Sequence, residues 1–209
     1  MEERTMNEKE SLEIISQMIK NTKTNLGKGS GNEFLIWGYS CIVASAVVLI
    51  MAVGFHVPHA GLGYFLIPLL GIIATLILKY AERTDKGQAT TYIEKSLKTL
   101  YTCAGTAFLV YAIVGFMNYG KANVWIGMFF LGLFVPAFCA NVAGSLLQVK
   151  TIKVLSYLAL ICSCVMIADV LVSDQVRIIS VTLGIISWIF SLVIPGHILN
   201  HEANKELKK

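Results

Sequence analysis

The stretch VWIGMFFLGLFVPAFCANVAGSLLQ, residues 124–148, runs without one charged side chain. The hydrocarbon core of a bilayer is about 30 Å thick, and about 20 apolar residues in a helix cross it. Working outward, further apolar runs lie at 34–55, 64–78, 100–117, 154–172 and 178–199. Only helices or closed barrels satisfy every backbone group in lipid, and runs this long read as helices. The sequence therefore predicts an all-α, six-transmembrane-helix bundle of three antiparallel hairpins, with an N-terminal cytoplasmic amphipathic helix. Three parts follow: 1–30, the amphipathic helix and a Gly-rich hinge; 31–200, the six-helix transmembrane domain; and 201–209, a cytoplasmic tail. The run at 64–78 is short, so it is expected to extend through Leu62 or to tilt little.

Composition agrees. Of 209 residues, 56% are hydrophobic and 14% charged, against about 45–50% and about 25% in soluble domains. Lys and Arg number 17, Asp and Glu 13, and the net charge is +4. These values exclude a disordered chain, a coiled coil and a typical nucleic-acid binder. The first apolar run follows some thirty polar residues and no small-residue cleavage site follows it, so no cleaved signal peptide is expected.

Orientation follows from the cations. Arg4, Lys9, Lys20, Lys23 and Lys28 precede span one. Lys79, Arg83, Lys86, Lys95 and Lys98 flank the loop between spans two and three. Lys150, Lys153, Lys205, Lys208 and Lys209 fall on the same side, and only Lys121 and Arg177 fall opposite. Both termini are expected in the cytoplasm. Trp37, Tyr39, Tyr80, Tyr101 and Tyr157 then lie at the inner interface, and Tyr64, Tyr119 and Trp125 at the outer one. Trp188 is mid-span and reads as a packing residue. Cys41, Cys103, Cys139, Cys162 and Cys164 all fall inside spans, where they read as small hydrophobes.

The N-terminal segment carries two capping-box spacings, Thr5 to Glu8 and Asn7 to Glu10. Leu12, Ile15, Met18, Ile19 and Leu26 form one apolar stripe. A helix this short is marginal unless it packs on something. Glu8, Glu10 and Glu13 offset Lys9, Lys20 and Lys23, and this mixed charge favours docking on protein over the membrane surface. Gly27-Lys28-Gly29-Ser30-Gly31 breaks the helix. It lacks the full phosphate-loop spacing and no strand precedes it, so it reads as a hinge. Ser30 and Glu33 have the spacing to cap span one. Thr91 and Glu94 have the spacing to start a helix that runs unbroken into span three.

Each even span carries one proline: Pro68, Pro136 and Pro195. The last two extend as V-P-A-x-x-x-N to Asn141 and I-P-G-x-x-x-N to Asn200. The pattern fits three hairpins of common origin, or a chance placement of kinks, which the differing depths favour.

Span four carries Gly132, Pro136, Ala140 and Gly144 at four-residue spacing, a stripe that admits a neighbouring helix. Pro136 frees the Gly132 carbonyl, which needs a donor in lipid. Asn141, Ser145 and Gln148 run beside that stripe. Span six offers Ser187, Ser191, His197, Asn200 and His201, and Pro195 frees the Ser191 carbonyl. Asn141, Ser145, Ser191, His197 and Asn200 form the candidate intramembrane polar cluster. Asn141 is expected to bond to span six near Ser191 or His197. Structural glue is the plainer reading of this set, and a solute or proton site the sharper one.

Other constellations fall short. Six spans with a serine in the fourth and a histidine in the sixth resemble rhomboid proteases, but the G-x-S-G motif is absent. An intramembrane aspartyl protease needs two carboxylates, and only Asp169 lies within a span. Arg177 is placed to pair with Asp169 across a short loop. His56, His59, Asp169 and Asp174 share one side but sit on separate segments. His197 and His201 have helical ligand spacing, but an interfacial histidine is ordinary. No catalytic, metal or cofactor-binding residues are assigned.

Ile14-Ile15-Ser16-Gln17-Met18-Ile19, Gly31-Asn32-Glu33-Phe34-Leu35-Ile36-Trp37-Gly38-Tyr39 and Ile194-Pro195-Gly196-His197-Ile198-Leu199-Asn200 resemble uncharacterised small multi-pass inner-membrane proteins of Bacteroidota. The resemblance implies a bacterial inner membrane and no catalytic residues. The sequence thus predicts a non-enzymatic integral membrane protein. It would act in the bilayer through a cytoplasmic protein partner or as a homo-oligomer, without nucleic acid. The alternative is a small-solute or ion transporter or channel using the polar groups of spans four and six. A closed bundle separates the first from the second, which needs a water-accessible cavity reaching Asn141.

Overall fold

The computed structural model describes residue 29 and residues 31–57, 60–82, 92–118, 124–173 and 177–206. The stripe Leu12, Ile15, Met18, Ile19 and Leu26 lies outside the described residues, as do Ser30, Thr91, His59 and Asp174. Among the described residues every element is helical. Helix α1 is Asn32–Leu49, continued by a wide turn at Ile50–Gly54. A tight turn at Ala60–Phe65 leads into α2, Leu66–Glu82. Then come α3, Tyr92–Met117, α4, Val124–Leu146, and α5, Lys150–Ser173. The last span is α6, Ile178–Trp188, a wide turn at Ile189–Val193, and α7, Ile194–Glu206.

Five of these stretches are long and apolar enough to cross a bilayer: Asn32–Gly54, Ala60–Tyr80, Lys95–Met117, Lys150–Val172 and Ile178–Lys205. Within α4 the apolar stretch Phe130–Leu146 is shorter. Leucine, isoleucine and valine cover the outside, as at Leu76, Ile77, Val114, Ile161 and Val165. Soluble monomers do not expose apolar surface on this scale. The chain is a multi-pass membrane protein.

The last span is the axis of the bundle. Half of its apolar window, 50%, is buried, against 6% for the window in α3. It packs on α1, α4 and α5, whereas α3 packs chiefly on α4. The most extensive contact joins α4 to α5, so consecutive helices interlock beyond separate pairs. Small residues set the close approaches. A Cβ on Gly144 would lie 3.0 Å from the Lys153 nitrogen and 3.1 Å from the Ile152 Cβ. A Cβ on Gly31 would collide with the Gly196 carbonyl. One on Gly38 would lie 2.9 Å from Val193.

Prolines find three different solutions. Pro68 sits where the tight turn Ala60–Phe65 passes into α2. Pro195 follows the wide turn at Ile189–Val193, which absorbs its clash with the preceding turn. Pro136 lies inside α4, and its freed carbonyl is bonded from another helix.

Among the described residues helix α3 is unbroken from Tyr92 to Met117; the Thr91 cap expected from spacing lies outside them. The start of α1 departs from expectation. Its N-cap is Gly31, and the Gly31 N–H donates to Asn200 Oδ1 at 2.9 Å. A residue of α7, from the far end of the chain, satisfies that donor.

Candidate functional site

The polar residues singled out on spans four and six do not share one site. Asn141 Nδ2 donates to Ser156 Oγ at 2.9 Å, and the Ser156 hydroxyl donates to the Lys153 carbonyl at 2.7 Å. Its partner is therefore on α5, not on span six. The cause is the turn at Gln148, whose φ of 56° puts it in the left-handed region. Val149 N–H bonds the Gly144 carbonyl at 3.0 Å across that turn, which folds α5 straight back along α4. Gln148 thus closes the helix and leaves its polar stripe, a correction to the helical spacing Asn141, Ser145, Gln148. Ser145 is exposed.

On span six, His197 Nε2 and Tyr39 Oη of α1 share a hydrogen bond of 3.0 Å. Asn200 Nδ2 donates to Asn32 Oδ1 at 2.8 Å, so with the Gly31 bond its amide clamps both termini of the bundle. Ser191 is fully buried, and its hydroxyl finds no partner among the described residues. Ser163 and Ser187 pair at 2.8 Å between α5 and α6, and both hydroxyls also reach the Ala159 carbonyl. Asp169 accepts from Arg177 at 2.5 Å and from Ser180 Oγ at 2.5 Å. That ion pair is half exposed on the arginine side, and such pairs contribute little to stability. It matches the expectation from sequence. His56 is exposed with a φ of 50°.

A concave feature of the described residues lies elsewhere. A cleft of about 460 Å³ separates α2 from α3, within the range that holds small ligands. Ile67, Ile72, Thr75 and Lys79 of α2 line one wall. Lys98, Tyr101, Thr102, Gly105, Thr106 and Leu109 of α3 line the other. Its floor is Trp37 and Cys41 of α1, Gly132, Pro136 and Cys139 of α4, and Trp188 and Leu192 of the last span.

Two aromatic contacts hold α3 besides its packing on α4, one near mid-helix and one at its last turn. Tyr101 packs edge-on to Phe34 of α1, with centroids 4.6 Å apart. Phe116 meets Phe65 edge-on at 6.4 Å. Between them the face of α3 bearing Thr102, Gly105, Thr106 and Leu109 is exposed. Its threonine hydroxyls are already bonded to carbonyls one turn back, Thr102 to Lys98 at 2.7 Å and Thr106 to Thr102 at 2.8 Å. The wall they present is consequently apolar in effect. Charge gathers at one end only, where Glu33, Lys79 and Lys98 line the cleft. The Tyr101 hydroxyl is buried and has no hydrogen-bond partner among the described residues.

Asn141, Ser145, Ser191, His197 and Asn200 are not among the residues lining this cleft. Sequence reading passes over it because its residues come from five helices with no common spacing. The available signal is Thr102 and Thr106 beside Gly105 on one helix. Lys79 and Lys98 register in the sequence only as markers of orientation. Compared with known protein families, with curated proteins and with solved structures, the chain matches none.

Proposed function

We propose that this chain is a six-span protein of a bacterial inner membrane, with both termini cytoplasmic, that acts by intramembrane binding and not by catalysis. The observation that carries the reading is the uncovered face of α3: 6% of its apolar window is buried, and a cleft separates it from α2. Helices in membranes associate through packing and polar contacts, and a helix that packs on α4 along one side alone leaves its other side as a binding surface. Three pairs of polar groups support the same reading, because each takes up its own hydrogen bonds between helices: Asn141 with Ser156, Ser163 with Ser187, Asn200 with Asn32. A transporter built on the groups of spans four and six would need them to share a cavity. The stripe Leu12, Ile15, Met18, Ile19 and Leu26 offers a second, cytoplasmic surface for a protein partner or a second copy.

A photoreactive side chain in place of Leu109 tests this reading in native membranes, with Val165 on the outer face of α5 as control. A discrete adduct from the Leu109 position and only diffuse lipid labelling from Val165 is the expected result. Equal, diffuse labelling at both would end the proposal.

A further inference from the structure

We propose that the cleft between α2 and α3 holds one anionic phospholipid of the cytoplasmic leaflet, with its acidic headgroup at Lys79 and Lys98. The inference rests on the cleft being a binding surface and names its occupant. Length supports it. From Lys98 to Val110 along α3, and from Ile67 to Lys79 along α2, the lining residues span 12 positions, or about 18 Å of helix. Half of a bilayer core is about 15 Å, so the cleft has the depth of one leaflet.

Chemistry grades along that length as it does in a phospholipid. Two lysines and Glu33 stand at one end, a net positive mouth that suits an acidic headgroup. Tyr101 lies three residues deeper than Lys98, about 4.5 Å along the helix. Its buried hydroxyl lacks a partner, and a tyrosine hydroxyl in such a place calls for one. The ester carbonyls of a phospholipid lie below the headgroup and can accept from it. Farther in, Ile72, Phe108, Leu109 and Val110 offer only apolar contact, suited to an acyl chain. A second copy of this chain fits less well: paired through the same face, two copies would set Lys79 and Lys98 against their own like charges.

The test is native mass spectrometry of the full chain in detergent, titrated with phosphatidylglycerol or phosphatidylcholine of identical acyl chains. Phosphatidylglycerol should bind more tightly. A lysine near the surface is worth about a five-fold change in affinity for an acidic lipid, so Lys79→Ala with Lys98→Ala should weaken phosphatidylglycerol about 25-fold. Phosphatidylcholine binding should not change, and Lys79→Arg with Lys98→Arg should keep the preference. Glu33→Gln should strengthen phosphatidylglycerol. Both lysines are exposed, so these variants leave the bundle intact. Equal binding of the two lipids, or no effect of the double alanine variant, overturns the anionic occupant and leaves the cleft as a binding surface. Photo-adducts from position 109 to protein instead of lipid do the same. Displacement of the lipid by glycerol phosphate alone would overturn the role of the acyl walls. Absence of any adduct or bound lipid removes the underlying reading as well.

Discussion

The indole Nε1 of Trp188 donates to the carbonyl of Gly132 across 2.8 Å, and that carbonyl is the one Pro136 leaves without its helical donor. The proline creates an unpaired acceptor inside an apolar helix. A tryptophan 56 positions away in the chain supplies the hydrogen. Trp188 is 3% exposed and also meets Tyr64 edge-on at 6.5 Å. It therefore ties α4 and the turn before α2 to the central span, beneath the cleft.

Trp188→Phe should destabilise the bundle through both a lost contact and an unpaired carbonyl. A buried acceptor left unsatisfied costs about 1–3 kcal/mol. Pro136→Ala restores an N–H within the helix, so in that background the same change should cost only packing. Unfolding in micelles should give a coupling of about 1 kcal/mol, in keeping with other intramembrane hydrogen bonds. Strict additivity would show that the indole bond contributes nothing.

The turn between α4 and α5 makes an opposite prediction for two neighbouring positions. Gln148 adopts a φ of 56°, which disfavours any residue but glycine or asparagine. Gln148→Gly should stabilise by about 0.5–1 kcal/mol. Gly144→Leu should destabilise by about 1–3 kcal/mol, because even a Cβ there lies 3.0 Å from the Lys153 backbone. Thermal melting in detergent checks both, and a stabilised Gly144 variant would show that α4 and α5 are not held at this distance.

Much of this is legible in the sequence because the membrane imposes it. Run lengths mark the helices, and Pro136 marks an acceptor in need of a donor. The donor is not legible, since a lone mid-span tryptophan carries no spacing that points to Gly132. Hairpin partners could be read further than composition suggests. Asn141 and Ser156 lie almost symmetrically about Gln148, and Ser163 and Ser187 lie equally far from position 175, between their helices in the sequence. An antiparallel fold-back at each turn brings them together, whereas helical periodicity alone pointed Asn141 at span six. The cleft stays hidden for a different reason: it exists because α2 and α3, neighbours in the chain, do not close on one another, and nothing in their apolar patterns marks that gap.

Orientation gives a prediction independent of packing. Cysteines replacing Lys86 and Lys121, in a background without the five native cysteines, should label oppositely with an impermeant thiol reagent. The Lys121 position should react from outside and the Lys86 position only after permeabilisation, because 15 of the 17 cations flank the proposed cytoplasmic side. Outside labelling at Lys86 would invert the orientation and place Lys79 and Lys98 in the other leaflet.

Asn200 joins the two ends of the bundle, so its loss should be felt at the start of α1. Its Oδ1 accepts from the Gly31 N–H and its Nδ2 donates to Asn32 Oδ1. Asn200→Leu removes both bonds and sets a larger side chain against Gly31, a position so close that an added Cβ would lie 2.9 Å from Asn200 Oδ1. A loss of about 2–3 kcal/mol is expected, from two bonds and the misfit. Hydrogen exchange should rise at Gly31 and the first turn of α1 before it rises elsewhere. Unchanged exchange there would mean that Asn200 does not cap the helix.

Asn141 separates a structural amide from a functional one. Among the described residues it bonds Ser156, whose own hydrogen goes to the Lys153 carbonyl, so the group completes a chain of bonds between α4 and α5. An interhelical amide of this kind contributes about 0.6–2 kcal/mol. Asn141→Ala should cost about that much, and Ser156→Ala in the same chain should add little more, since the pair acts as one unit. Because Asn141 does not line the cleft, the folded variant should bind phosphatidylglycerol as the parent chain does. A variant that folds normally but loses lipid binding or a transport phenotype would move the site to span four, and the cleft would no longer account for the binding.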